Sequence, residues 1–288
     1  MTFRRSAATG VLASALLAVQ APVAIAQKPP DGLKNPLVEI SYEVPRTAAL
    51  AEFRTRLQNR YVLEKLQVFL SPLNLTEKLV VKADECGVPQ ILYTRGAPVV
   101  LCYEYVAKVD ADAPRIGQVV QLGQTELTRE EALVGPITQL VLHDVARAIF
   151  HMYKLPVWGN AEFAADNVAA YTMVNFSQKT AWKTVVGTAW FLKSGWDKPV
   201  DISDIRPHVA QRYFALLCVA YAADQAQFEP FVQQGARPKV YELPARRANK
   251  CLYDYEKLSG AFMKTIFEPH VDRPKFEQLR KLEWLKDF

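Results

Sequence analysis

The chain has 288 residues, 50% of them apolar and 23% charged, with 12 Gly, 18 Pro and a formal net charge of +5. That balance excludes collagen-like, low-complexity and disordered classes, and it is too polar for a multi-span membrane protein. A globular chain of this length buries enough surface for one large domain or two small ones, with no metal or disulfide needed to rescue its core.

Taken in chain order, residues 1–26 read as an export signal. Arg4 and Arg5 form a basic start, an apolar stretch runs from Ala7 towards Ala18, and Ala24-Ile25-Ala26 offers small residues for cleavage before Gln27. Gln20 and Pro22 interrupt the apolar run, which falls short of the roughly 20 residues a bilayer span needs. Cleavage removes 26 residues and two arginines, leaving 262 residues at +3. So small and unclustered an excess gives no support to nucleic-acid binding. The expected product is periplasmic or secreted and does not span a membrane.

Residues 27–125 are the β-rich part. Leu37–Val44 alternates as a strand ended by Pro45, and Ala48–Leu70 has helical spacing, with Leu50, Phe53, Leu57, Tyr61, Leu66 and Phe69 in one stripe. Leu79–Lys82, Gln90–Thr94 and Val99–Ala107 predict three short strands, the last two joined by a turn around Arg95-Gly96-Ala97-Pro98, and residues 111–125 predict a loop. Residues 126–272 are the helical part, with predicted helices at Pro136–Lys154, Ala161–Asn175, Thr180–Leu192, Pro207–Ala223 and Arg246–Phe267. Residues 273–288 form an amphipathic tail helix carrying Phe276, Leu279, Leu282 and Leu285. Strands first and helices afterwards predict an α+β fold: a small N-terminal sheet with a helix, followed by a mostly helical region.

An exported chain uses its cysteines differently from a cytosolic one. Cys86, Cys102, Cys218 and Cys251 allow three connectivities, of which Cys86–Cys102 with Cys218–Cys251 closes the shortest loops. A four-thiolate zinc site would want cysteines two to four residues apart, a spacing absent here, so disulfides are preferred.

The chemistry-bearing stretch is Leu140–Tyr171. On a helix from Ile137, the residues Val141, Leu142, Val145, Ala148, Ile149 and Met152 share an apolar face, opposite His143, Asp144, Arg147 and His151. Lys154-Leu155-Pro156 ends that helix, and after Gly159-Asn160 a second helix carries Glu162 and Asp166 one turn apart. Taken bare, a His-Asp-x-x-Arg face is an ordinary solvated surface with an i,i+3 ion pair, and Glu162 and Asp166 are acids favouring a helix N-terminus capped by Asn160.

The layout nevertheless resembles a zincin, with a helix bearing H-E-x-x-H and a second bearing E-x-x-x-D. Over the mature chain it resembles a family of exported bacterial putative metallopeptidases. The matching segments are Glu85-Cys86-Gly87, Leu101-Cys102-Tyr103-Glu104, Leu155-Pro156, Ala164-Ala165-Asp166, Gln211-Arg212-Tyr213 with Cys218, and Arg247 with Cys251. The resemblance implies that residues 27–288 form one zincin-like domain. It further implies that His143 and Glu162 are metal ligands if zinc is retained, that Asp144 stands at the general-base position, and that Asp166 steadies a ligand from behind.

At the signature itself the chain departs from that pattern. Glu to Asp at position 144 withdraws the base by about 1.5 Å, a displacement that costs roughly a hundredfold in rate. At position 147 an arginine replaces the second histidine ligand; guanidinium has no lone pair and adds positive charge where a dication would sit. His151 cannot substitute, because eight residues of helix carry it about 12 Å from His143 along the axis. The expectation is that Arg147 takes the metal's place and pairs with Glu162, with Asp144 and Asp166 as further partners.

Three functions follow from these readings. The first is a zinc-free, inactive homologue with a binding or regulatory role, for which no cofactor is expected. The alternative is an active envelope peptidase with a nonstandard zinc ligand set, and the third is a purely structural exported protein. The sequence identifies no partner; peptide or protein is the class the resemblance leaves open.

Overall fold

The computed structural model describes residues 28–29, 32–90, 93–196, 203–235, 239 and 241–282. The export-signal reading of residues 1–26 lies outside them, as does Leu285. Strands β1 (Val38–Tyr42), β2 (Leu79–Asp84) and β3 (Val99–Cys102) form a parallel sheet in the order β1-β2-β3, with Val38 opposite Leu79 and Val81 opposite Val99. Parallel neighbours need a crossover, and between β1 and β2 it is made by α1 (Ala51–Asn59) and α2 (Val62–Phe69).

The structure differs from four sequence expectations in this half of the chain. The single helix over Ala48–Leu70 is broken at Arg60-Tyr61, where Tyr61 adopts a left-handed φ of 53° at the start of α2; no proline or glycine announces the break. The expected hairpin from Gln90–Thr94 to Val99 does not form. Of that strand, Gln90, Tyr93 and Thr94 are irregular while residues 91–92 lie outside the described set, and Val99 pairs in parallel with β2. The turn is real, since the Ala97 N–H donates to the Thr94 carbonyl, but it shapes a loop rather than closing a hairpin. Third, the strand from Val99 stops at Cys102, and Tyr103–Asp112 is helix α3. The expected loop over 111–125 contains β4 (Val120–Leu122), which pairs antiparallel with β5 (Thr125–Leu127) at the loop's end.

The helical half includes α4 (Arg129–Met152), α5 (Ala161–Val174), α6 (Gln178–Lys193), α7 (Val209–Ala223), α8 (Gln225–Phe228) and α9 (Ala245–Phe262), which continues through a π-helical turn at Met263–Phe267 into Glu268–His270 and is followed by a helix over Arg273–Leu279. The fold is α+β, with the small sheet at the N-terminal end. Helix α4 starts seven residues before Pro136 because Thr128 and Glu131 form a capping box. It crosses α6 so closely at Gly135 and Gly187 that a Cβ on Gly135 would stand 2.6 Å from the Thr184 carbonyl, and one on Gly187 would run into the Glu131 carbonyl. Among the described residues α4 is the one helix long and apolar enough to cross a membrane, yet 78% of its apolar window is buried inside the protein.

Two disulfides, Cys86–Cys102 and Cys218–Cys251, join the loop after β2 to the end of β3 and α7 to α9. Around the first, Glu104 accepts the backbone N–H groups of Cys86 at 3.1 Å and Gly87 at 2.6 Å, and the Tyr103 hydroxyl donates to the Glu43 carbonyl at 2.7 Å. Glu85 accepts from the N–H groups of Arg46 and Thr47 and from the Thr47 hydroxyl. The Cys-Gly and Cys-Tyr-Glu segments thus tie together the C-terminal ends of all three parallel strands.

Candidate functional site

Helices α4, α5 and α7 supply the side chains. Asn160 caps α5, its Oδ1 accepting the N–H groups of Glu162 at 2.9 Å and Phe163 at 3.1 Å. The cap fixes the first turn, so Glu162 and Asp166, four residues apart, face α4 together. His143 stands between them, Nε2 3.1 Å from Glu162 Oε2 and Nδ1 2.9 Å from Asp166 Oδ1. One turn earlier on α4, Gln139 donates to Asp166 Oδ1 at 2.7 Å; one turn later, Arg147 makes an ion pair with Glu162. From α7, Arg212 donates through Nε to Asp166 Oδ2 at 2.7 Å and through Nη2 to Oδ1 at 2.8 Å.

His143, Asp144, Glu162 and Asp166 are buried, at 4%, 5%, 3% and 8% exposure. That corrects the view of His143 and Asp144 as an outward polar face of α4. The helix is enclosed on both sides from Gln139 to Phe150, with only Arg147 part exposed along that length. The ordinary solvated ion-pair reading falls with it.

The electrostatics divide the two aspartates. Burial alone would push Asp166 up, but the Arg212 guanidinium and the hydrogen bonds from Arg212 and His143 outweigh it and hold the carboxyl down at about 2. Asp144 is raised to about 6, chiefly by burial, against the lowering influence of His143, Arg147 and Arg212. It makes no hydrogen bond or ion pair among the described residues. It faces a cavity of about 260 Å³ bounded by Lys82, Tyr93, Thr94, Pro98 and Val100. Of the partners expected for Arg147, Glu162 is the one it meets, while Asp166 belongs to Arg212.

Arg212 is the site residue that the sequence reading left without a role. Its signal was present: it is the only charged residue in the fifteen of α7, and a charge there demands a buried partner. The remaining histidines are engaged elsewhere. His151 lies against Tyr93, His208 caps α7 through Nδ1, and His270 stacks on Tyr153 at 3.6 Å between ring centroids. Of the tryptophans among the described residues, Trp158 is 91% exposed, Trp182 packs on Phe228 and Phe231, Trp190 donates to the Asp112 carbonyl, and Trp196 packs on Tyr213.

The donor set as folded does not fit zinc. An Nδ1–H given to Asp166 leaves the Nε2 lone pair of His143 free, so His143 and Glu162 offer two donors, one short of the three protein ligands of a catalytic zinc site. Glu162 is shared by His143 and the Arg147 cation, and Arg147 has nothing to donate to a metal. Among the described residues one trio of potential ligand atoms converges, Cys86, Cys102 and Glu104, and its two sulfurs are joined to each other.

A family model described as "Putative metallopeptidase" matches residues 42–265, a span that contains every side chain of this cluster and both disulfides. No curated protein and no solved structure matches the chain.

Proposed function

The chain belongs to the putative metallopeptidase family, and from that premise we propose that it is an exported member without peptidase activity, its metal position taken over by the Arg147 guanidinium. The observation that carries this reading is the Arg147–Glu162 ion pair, made on the same carboxylate that faces His143 Nε2. Carboxylates gathered without a cation resist ionisation. A tethered monocation relieves that repulsion and suits a planar carboxylate partner. Asp144 at the general-base position is one methylene shorter than the glutamate of the H-E-x-x-H pattern. The protein then acts by binding a peptide or protein, or by regulating one, in the cell envelope. Two disulfides support an oxidising compartment.

One observation favours the alternative of an active peptidase with a nonstandard zinc ligand set: Asp144 faces a cavity without a partner while His143 and Glu162 stay side by side. Elemental analysis of the purified protein separates the two, together with casein cleavage in the presence and absence of a chelator. The zinc-free reading expects far less than one zinc per chain and no cleavage. It also expects Arg147→His combined with Asp144→Glu to gain zinc. Stoichiometric zinc lost on His143→Ala, or chelator-sensitive cleavage by the native protein, overturns it.

A further inference from the structure

A second cavity, of about 630 Å³, lies between α1, α2 and α4, within the roughly 300–1,000 Å³ range of small-molecule sites. Its α4 wall is Val134, Ile137 and Val141, which at 100° per residue lie on the side of the helix away from His143. Leu63 and Leu66 of α2 form the facing wall. The lining is apolar in depth, and its charges are Arg56, Arg60 and Arg129 against Asp110 and Glu130.

Those charges do not cancel. Asp110 is shared between Arg56 and Arg129, and Glu130 is held by Lys183 from outside the cavity. Arg60 is exposed and makes no ion pair among the described residues. On the same lining, Ile116 is 91% exposed, an apolar side chain that the described residues leave uncovered.

We infer that this cavity binds a free fatty-acid-like amphiphile, its single apolar chain between α2 and α4 and its carboxylate at Arg60. A neutral hydrocarbon would leave the surplus guanidinium unused, and a cationic amphiphile would meet like charge. The site is separate from the His143 cluster, so it stands whether or not the Arg147 reading holds.

The test is fluorescence titration of the purified protein with dansyl-undecanoic acid and with the neutral dansyl-undecanol. The expected result is one saturable site that prefers the acid about three- to fivefold, the scale of an exposed ion pair, with the preference lost in Arg60→Gln. Leu133→Trp, placed in the lining, should abolish binding of both probes at an unchanged melting temperature, and Thr138→Trp serves if Leu133→Trp does not fold. Absence of saturable binding overturns the inference, as does equal affinity for both probes with no effect of Arg60→Gln. So does undiminished binding in a folded Trp variant. Co-sedimentation with phosphatidylglycerol vesicles without binding of the free acid would overturn it in favour of a membrane surface.

Discussion

Arg212 on α7 holds both oxygens of Asp166 on α5, at 2.7 and 2.8 Å, while His143 lies 2.9 Å from the same carboxylate. Both partners of the pair are largely buried, with side-chain exposures of 17% and 9%. Removing one partner of such a pair strands the other, at a cost of roughly 3–5 kcal/mol. Arg212→Ala is expected to lose about that much in urea unfolding, and Arg212→Lys less, since lysine keeps the charge without the fork. The pH dependence has a definite sign. Asp166 titrates at about 2 when folded, below its usual 3.8, so it stabilises above pH 4 and loses that contribution as pH falls towards 2. The native protein should therefore lose about 2 kcal/mol more than Asp166→Asn between pH 5 and pH 2.

Arg147 and Glu162 call for a different experiment, because the cation is tied to a functional claim. Glu162 is 4% exposed at its side chain and Arg147 15%. Arg147→Ala should cost about 3 kcal/mol. The variant also exposes uncompensated carboxylate beside His143, so added zinc should raise its melting temperature by ligand linkage while leaving the native protein unmoved. Equal responses would detach Arg147 from the metal position.

Asp144 carries the opposite sign from Asp166. Its folded carboxyl titrates at about 6, above the unfolded 3.8, so the folded state keeps a proton that the unfolded chain has lost. Stability from this group is present below pH 4 and disappears as pH rises through 6. Asp144→Asn removes that dependence. It should gain about 2 kcal/mol over the native protein on going from pH 4 to pH 7.5, measured as the difference between the two unfolding curves.

How far the sequence could be read depended on whether the signal was local. Asn160, Glu162 and Asp166 were legible because a cap and a four-residue spacing are written in adjacent residues. The two disulfides followed from loop length. The burial of His143 and Asp144 was not legible, because polar residues on one helix face look solvated until α5 and α7 are placed against them. Arg212 was missed for the same reason, its partner lying 46 residues away. The parallel register of β3 was hidden because alternation of apolar residues is the same for either strand direction.

The crossing of α4 and α6 gives a packing test independent of any chemistry. A Cβ at Gly187 would collide with the Glu131 backbone, which no side-chain rotation relieves. Gly187→Ala should cost about 3 kcal/mol or prevent folding. Gly260→Ala is the control: it lies in α9 with nothing within 4 Å of the added methyl, and there alanine should gain up to about 1 kcal/mol.

The Cys86-Gly87 and Cys102-Tyr103-Glu104 segments meet at the first disulfide. Cys86, Gly87, Cys102 and Glu104 could be read as a site, since two sulfurs and a carboxylate meet there. The geometry instead gives them a structural task. The disulfide closes a loop 16 residues apart in sequence, and Glu104 satisfies the N–H groups of Cys86 and of Gly87, whose φ of 76° suits glycine. Replacing both cysteines by serine should cost about 3 kcal/mol, and Glu104→Gln about 1 kcal/mol. Neither change should alter metal content or the affinity for any bound peptide. A Glu104→Gln variant of native stability but altered binding would move the functional site from the His143 cluster to the ends of the parallel strands.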